Sequence, residues 1–246
     1  MTESYWGETS YTIRYDISRT HEQTWQGIAG PGTWLTGDTR AAIAAETRAA
    51  QACELCALRK EALSPYAVPS GHEAGPVLSA AELDAVHRIA TDPGRLSSDW
   101  YIGQMKGAME QGAYVELAGI VAMVMMMDGF CRAMDLPQTP VPQGRSGEPS
   151  RYSPPGARMH EAWVPVIKPE DVVEEDGPLY GGKMVSYVRK ALSSVPDALR
   201  AYWNLADAHY LPGADVGDFG TELRAISRPQ IEVVASRVAA VHQCVY

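Results

Sequence analysis

With 246 residues, the chain is long enough for one large or two small domains with a substantial core. It carries 21 Lys and Arg against 30 Asp and Glu, a net charge of −9. This acidic balance argues against a nucleic-acid binder, because the sequence has no basic stripe to neutralise phosphates. We therefore expect no nucleic-acid partner, and instead a small-molecule substrate and further copies of the same chain.

Neither a secretory signal nor a membrane span is predicted. The N-terminal residues are polar and lack an apolar segment. The longest apolar run, residues 117–127, is shorter than the roughly 20 residues of a membrane span. We expect a cytoplasmic protein, and in a reducing compartment a closely spaced Cys pair is more often redox-active or metal-binding than structural.

The first two segments differ in pattern. Residues 1–36 are polar and aromatic with little periodicity, which predicts an irregular N-terminal arm packed on the body or on a neighbouring subunit. Residues 39–63 are rich in Ala, Leu, Glu and Arg and contain no Gly or Pro, which predicts one continuous helix that ends before Pro65. Cys53 and Cys56 lie near its centre.

The Cys-x-x-Cys pair is the strongest chemical signal. In a helix, Cys53 and Cys56 share a face with Glu46 and Lys60, and their Cα atoms lie roughly 5 Å apart, within disulfide range. The Lys60 ammonium is placed to lower the pKa of Cys56 and raise its thiolate fraction. Glu46 lies about 10 Å before Cys53, so it can act on a thiol only through water or another side chain; a cap or ion pair is the other interpretation.

Two histidines follow. His72 lies in a Pro- and Gly-rich loop, residues 65–78, of the kind that can close over a reactive helix. Residues 79–91 have a capping box and an apolar face, which predicts a helix. His87 lies beside that face, where it is either a structural histidine bound to a backbone carbonyl or a catalytic one.

The middle of the chain contains the segment that we predict to form the centre of the core. Residues 97–111 resemble a short helix, and residues 114–134 a helix that is apolar nearly all round and belongs at the centre of a bundle. Glu116 and Asp128 need partners or raised pKa values there. Residues 137–163 are rich in Pro and Gly, which predicts an extended connector that is either a loose linker or a strap over the surface.

Three further helices are predicted after the connector, at residues 183–192, 196–210 and 229–244, the second capped by Ser194 with Pro196 in its first turn. The last helix has the same pattern as residues 39–63. Both follow an Arg, continue through small and branched apolar residues and reach a Cys. This indicates an internal duplication, with chance similarity between two Ala- and Val-rich helices as the alternative.

A helix with an upstream glutamate and a Cys-x-x-Cys, followed by the apolar residues 114–137, resembles the alkylhydroperoxidase D-like and carboxymuconolactone decarboxylase-like superfamily. The resemblance covers residues 37–137 and, more weakly, the C-terminal third. It implies an all-α helical bundle that assembles into trimers or hexamers of cores. In its redox-active members the second Cys attacks the peroxide and the first resolves it, roles that correspond to Cys56 and Cys53. Those members place histidines four residues after the second Cys and often just before it, where this chain has Lys60 and Leu55.

The resemblance also implies a second core. A glutamate commonly lies twelve residues before the first Cys of the pair, and Glu232 stands in that relation to Cys244. The chain stops at Tyr246, before the position of a second Cys. We therefore expect an N-terminal arm (1–36), a first core (37–136), the connector (137–163) and a degenerate or truncated second core (164–246), with Glu232 and Cys244 as its site candidates.

Thiol-dependent peroxide reduction is the leading functional hypothesis, that of an antioxidant oxidoreductase supplied by a thiol reductant and using no cofactor. A second interpretation is a metal site to which the pair supplies two ligands, but there is no second Cys-x-x-Cys or His-x₃-His motif and zinc would need further ligands from six isolated histidines, so no metal is predicted. A third interpretation treats the two cysteines as small apolar residues. The candidate catalytic residues are Cys56, Cys53, Glu46, Lys60, His72 and His87.

Two other functions stay open. A cofactor-free lyase or isomerase of the carboxymuconolactone decarboxylase type would use Glu46, His72 or His87 as a general base on a lactone or small organic acid. A non-catalytic helical assembly protein would use its second core only for packing. Nucleotide-binding motifs are absent from the sequence.

Overall fold

The structure is a computed structural model that describes residues 5–7, 9–106, 108–160, 162–180, 185–241 and 244. Within these ranges the regular structure is helical, and the one β-type pairing is an isolated bridge between Arg158 and Val166. The predicted all-α class is confirmed. The α-helices of the described ranges are α1 (Tyr15–Ala29), α2 (Gly37–Ala49), α3 (Glu54–Glu61), α4 (Ala80–Thr91), α5 (Ser98–Met105), α6 (Gln111–Ala133), α7 (Tyr187–Lys190), α8 (Pro196–His209) and α9 (Arg228–Val241).

Helix α6 forms the centre of the core. It packs against α2, α4 and α8, and Leu117, Ile120 and Val124 on it are almost fully buried. Burial of these side chains is the main favourable contribution to folding. The helix is long and apolar enough to cross a membrane, but 67% of its most apolar stretch is buried inside the fold, consistent with the core helix of a soluble protein.

Two buried ion pairs join α2 to α6. The carboxylate of Glu116, 1% exposed, pairs with Arg40 and accepts a hydrogen bond from the backbone N–H of Trp34 at 2.7 Å. Asp128 accepts two hydrogen bonds from Arg48, at 2.7 and 2.8 Å. Both acids predicted to need partners have them, as buried charges require.

The expectation of an irregular N-terminal arm is wrong for residues 15–29, which form α1. Its buried face combines Ile17, His21, Trp25 and Ile28 with two threonines, at helical spacing. The pattern is hidden in the sequence because His and Thr occupy positions of that face and do not count as apolar. Helix α1 packs against α2 and α8.

The expectation of one continuous helix over residues 39–63 is also wrong. Helix α2 ends at Ala49, a 3₁₀ turn covers Ala50–Ala52, and α3 begins at Glu54. Cys53 precedes α3 in extended backbone, with φ −75° and ψ 116°. Helix propensity is a weak preference, and the packing of α4 against α2, α3 and the turn overrides it. The break places Cys56 in the first turn of α3.

The other boundaries follow the predictions in part. The capping box of Ser79 and Glu82 at the start of α4 is confirmed. Helix α5 ends at Met105, earlier than predicted, and contains Gly103, a poor helix former. Pro196 begins α8 as predicted, but the N-cap is Val195 and not Ser194, because residue 195 is the last one with non-helical backbone angles.

In the segment predicted as a helix at 183–192, residues 187–190 form α7, and residues 183 and 184 lie outside the described ranges. The last predicted helix, 229–244, corresponds to α9, which is described from Arg228 to Val241; residues 242 and 243 lie outside the described ranges.

The Pro-rich connector lies along the protein as a strap. The backbone N–H of Arg145 donates to the carbonyl of Ala29 at 2.6 Å, and that of Ser150 donates to Gly32 at 3.2 Å. The backbones approach so closely that a Cβ on Gly37 would lie 2.4 Å from the carbonyl oxygen of Arg145. The strap therefore fixes the junction between α1 and α2. Helix α2 carries Glu46, one of the predicted site residues.

Candidate active site

Four side chains from three segments meet at the start of α3. Cys53 precedes the helix, Cys56 lies in its first turn, His72 comes from the loop before α4 and His87 from α4 itself. We refer to these four residues as the Cys–His cluster. Their sulfur and nitrogen atoms all lie within 4.8 Å of one another, and each cysteine is a free thiol.

One histidine links Cys56 to a carboxylate. Nδ1 of His87 lies 3.2 Å from the sulfur of Cys56, and Nε2 of the same ring lies 2.6 Å from Oε1 of Glu46. Glu46 belongs to α2 and therefore acts on the thiol through another side chain, one of the two routes that the sequence allowed. The three groups form a continuous hydrogen-bonded chain from carboxylate to imidazole to thiol.

The second histidine spans both thiols. Nε2 of His72 lies 3.6 Å from the sulfur of Cys53 and 3.7 Å from that of Cys56. Its Nδ1 lies 3.3 Å from Oδ1 of Asp84. The 65–78 loop thus reaches the Cys pair through His72.

Asp84 is held in place from several sides. It accepts hydrogen bonds from Arg59 at 2.7 Å, from Arg88 at 2.9 Å and from the indole N–H of Trp100 at 2.9 Å. Burial disfavours its charged form, but the hydrogen bonds from His72, Trp100 and Arg59 outweigh burial and hold its pKa well below the usual range. A permanent negative charge therefore faces His72.

The histidines shift the ionisation of Cys56 in the opposite direction to burial. Burial raises the pKa of this thiol, which is 3% exposed, but hydrogen bonds to His72 and His87 outweigh burial and lower its pKa to about 6. The bond to Asp84, followed by that to Cys56, raises the pKa of His72 to about 10. At neutral pH the site therefore holds a Cys56 thiolate beside a His72 imidazolium.

The pKa of His87 is also raised. Burial lowers it, but hydrogen bonds to Cys56 and Glu46 more than compensate. The position of Cys56 in the first turn of a helix adds backbone N–H groups that favour a thiolate.

An open cavity of about 400 Å³ reaches the Cys pair. Ile89, Ala90 and Met125 give it apolar walls, while Cys53 and Cys56 provide the reactive atoms. Such a cavity suits a small molecule with an apolar body and one polar end.

Five of the six predicted site residues meet here: Glu46, Cys53, Cys56, His72 and His87. Lys60 lines the cavity, but the contacts of the sulfur atoms are with the histidines. Asp84 was not predicted, although a signal exists in the sequence, since it lies three residues before His87 on the same helix, among apolar positions.

The site candidates of the C-terminal segment have other surroundings. Glu232 lies on α9, where it accepts hydrogen bonds from the hydroxyl of Tyr210 and from Arg228, each at 2.6 Å. Cys244 is exposed.

Comparison of the chain with protein-family models, curated proteins and solved structures finds no match.

Proposed function

We propose that the protein is a thiol-dependent hydroperoxide reductase in which Cys56 attacks the peroxide and Cys53 resolves the product. The observation that carries the proposal is the chain from Glu46 through His87 to the sulfur of Cys56, with contacts of 2.6 and 3.2 Å. A nucleophile bound to a base that a third group orients is the general arrangement of an activated nucleophile. The resolving thiol lies beside it, within 4.8 Å.

The first step oxidises Cys56 and reduces the peroxide. The thiolate attacks the terminal oxygen of the hydroperoxide, so that an S–O bond forms while the O–O bond breaks. The electron pair of the O–O bond leaves on the alkoxide. His87 returns to the alkoxide the proton that it took from Cys56, and the products are a sulfenic acid and an alcohol.

The second step closes the disulfide. The sulfur of Cys53 attacks that of Cys56, an S–S bond forms and the S–O bond breaks, and the hydroxide takes the proton of Cys53 and leaves as water. An external dithiol, either a protein or a small molecule, then reduces the disulfide and is itself oxidised. Cys53 lies outside regular helix, so it can approach Cys56 without the opening of a helical turn.

The cavity favours an organic hydroperoxide over hydrogen peroxide as substrate. Its walls beside the sulfur atoms include Ile89, Ala90 and Met125, which would bind an alkyl group and leave the peroxide group at Cys56.

We further propose the architecture in which this reaction takes place. The Cys-x-x-Cys pair with Glu46 upstream and the central apolar helix support an alkylhydroperoxidase D-like bundle with two related cores, the second degenerate; the first core departs from the family pattern in having Ala41 twelve residues before Cys53. Cytoplasmic location and assembly into homo-oligomers belong to this proposal as well.

A cofactor-free lyase of the carboxymuconolactone decarboxylase type has less support. It needs a general base that reaches the substrate, and the candidates were Glu46, His72 and His87. In the structure Glu46 is hydrogen-bonded to His87, and both histidines contact the sulfur atoms, so each candidate base already has a partner.

The test is oxidation of the reduced, chelator-treated protein with one equivalent of an organic hydroperoxide, followed by alkylation and mass spectrometry. Both cysteines fall in one tryptic fragment, residues 49–59. We expect an internal disulfide in this fragment. Cys56→Ser should lose peroxide consumption, and Cys53→Ser should stop at a trappable sulfenic acid on Cys56.

Cys244→Ser is the matched control, because Cys244 is an exposed free thiol outside the cluster, and it should behave as the parent protein does. Thiols that remain alkylatable after peroxide treatment, or full turnover in both cluster variants, would contradict the proposal. Screening of lactones and small acids for proton-abstraction chemistry would then be the next step.

A further inference from the structure

The donor atoms of the Cys–His cluster match a four-coordinate metal site. A tetrahedral ion with metal–sulfur distances of about 2.3 Å and metal–nitrogen distances of about 2.0–2.1 Å holds its ligand atoms about 3.3–3.8 Å apart. The cluster has a sulfur–nitrogen distance of 3.2 Å from Cys56 to His87, and distances of 3.6 and 3.7 Å from His72 to the two sulfur atoms. The donor atoms of all four side chains lie within 4.8 Å of one another, so an ion at their centre would draw the remaining pairs together by small side-chain movements.

Each histidine is oriented as metal-binding histidines are. His72 turns Nε2 to the sulfur atoms and Nδ1 to Asp84, whereas His87 turns Nδ1 to the sulfur and Nε2 to Glu46. A carboxylate on the outer nitrogen is the usual second partner of a ligating histidine, because it fixes the ring and makes the inner nitrogen a better donor. Both rings of the cluster have one.

The two rings also converge. Their centroids lie 3.9 Å apart. Nε2 of His72 and Nδ1 of His87 both contact the sulfur of Cys56, at 3.7 and 3.2 Å, so a cation beside this sulfur is within reach of both rings.

The charges balance around a divalent ion. Two thiolates neutralise an ion of charge +2, and the two outer carboxylates, Glu46 and Asp84, are offset by Arg59 and Arg88, both of which bind Asp84. A buried group of charges without such balance would be costly.

We infer that the reduced protein binds one Zn²⁺ ion through the four side chains of the Cys–His cluster. Two thiolates and two imidazoles in a tetrahedral arrangement are the ligand set that selects zinc among the common divalent cations. All four positions of the ion are filled by the protein, which is the arrangement of a structural site. The ion would join α3, the loop before α4, and α4.

If the proposed function holds, the disulfide and zinc use the same two sulfur atoms and therefore exclude each other. Zinc would protect the thiolates from peroxide, and oxidation would remove two ligands and release the ion.

The test uses Co²⁺ as a spectroscopic substitute for zinc in the full-length, reduced, chelator-stripped protein, without any oxidant. We expect one equivalent of Co²⁺ to give thiolate-to-cobalt absorption and the visible bands of tetrahedral cobalt, and Zn²⁺ to displace it. Cys53→Ser should remove one sulfur ligand and lower the affinity at least tenfold. This variant should keep its fold, because serine is a preferred residue at the N-cap position that Cys53 occupies.

His72→Gln should weaken binding similarly, whereas Cys244→Ser should leave it unchanged. Absence of the cobalt bands, or bands that persist unchanged in both cluster variants, would overturn the inference.

The two proposals fail separately. Cobalt binding with peroxide-inert thiols would refute the reductase and keep the metal site. A peroxide-induced disulfide without cobalt binding would refute the metal site and keep the reductase.

Discussion

Replacement of His87 by glutamine tests what keeps Cys56 ionised. The ring of His87 makes the shorter of the two imidazole contacts to this sulfur, 3.2 Å against 3.7 Å for His72. Its removal should raise the pKa of Cys56 from about 6 towards the ordinary value of 9.0. The contact to His72 remains, so the rise should be partial.

The expected change is large enough to measure. A thiol with a pKa of about 6 is about 90% thiolate at pH 7, whereas one with a pKa of 9.0 is about 1% thiolate. A rise of about one unit in His87→Gln, equivalent to about 1.4 kcal/mol, would reduce the thiolate to about half at pH 7.

The assay is a pH titration of thiolate absorbance in the ultraviolet, in the presence of a chelator. In the Cys53→Ser background the cluster has one thiol, and a Cys53→Ser/Cys56→Ser double variant supplies the baseline. Burial raises the pKa of Cys131, so this thiol should contribute little in the neutral range. A Cys56 titration midpoint of about 8.5 or above in Cys53→Ser, with His87 still present, would refute the reasoning. So would a midpoint that stays the same when His87→Gln is added to Cys53→Ser.

Three further predictions concern stability and are measured by urea denaturation. Buried His21 and partly buried His209 are in contact at 2.8 Å, and desolvation lowers their pKa values to about 3 and about 4. The contribution of the neutral histidines to the free energy of unfolding is therefore complete above the unfolded pKa of 6.5 and is lost as the pH falls. The loss is about 2 kcal/mol per histidine at pH 5, and His209→Gln should make the free energy of unfolding depend less on pH. Glu116→Ala should cost about 3–5 kcal/mol, because it leaves Arg40 without its buried partner, and a cost below about 1 kcal/mol would contradict this account. Ser79→Ala should cost about 1 kcal/mol through loss of the capping box, with unchanged stability as the contrary result.

The sequence alone predicted features that depend on neighbouring residues. The capping box of Ser79 and Glu82 begins α4, Pro196 begins α8, and the apolar residues 114–134 form most of the central helix. These signals are reliable because a cap, a proline ring or a fully apolar surface acts within one or two turns of the chain. Burial of the acids on α6 likewise required partners, although the sequence did not say which.

Tertiary structure alone decided where the long predicted helix breaks. Residues 39–63 have good helix formers throughout, yet packing against α4 stabilises a turn at Ala50–Ala52 and ends α2 before the Cys pair. The preference of each residue for helix is a fraction of a kcal/mol, and packing of an apolar face exceeds it.

Tertiary structure also assembled the candidate site. The sequence identified the Cys pair, but the histidines that contact Cys56 lie 16 and 31 residues away along the chain. No spacing rule relates such positions, because their meeting depends on the loop over α3 and on how α4 packs against α2 and α3. The residue types that can do the chemistry were therefore readable from the sequence, whereas the side chains that tune Cys56 were set by contacts that form only when the helices pack.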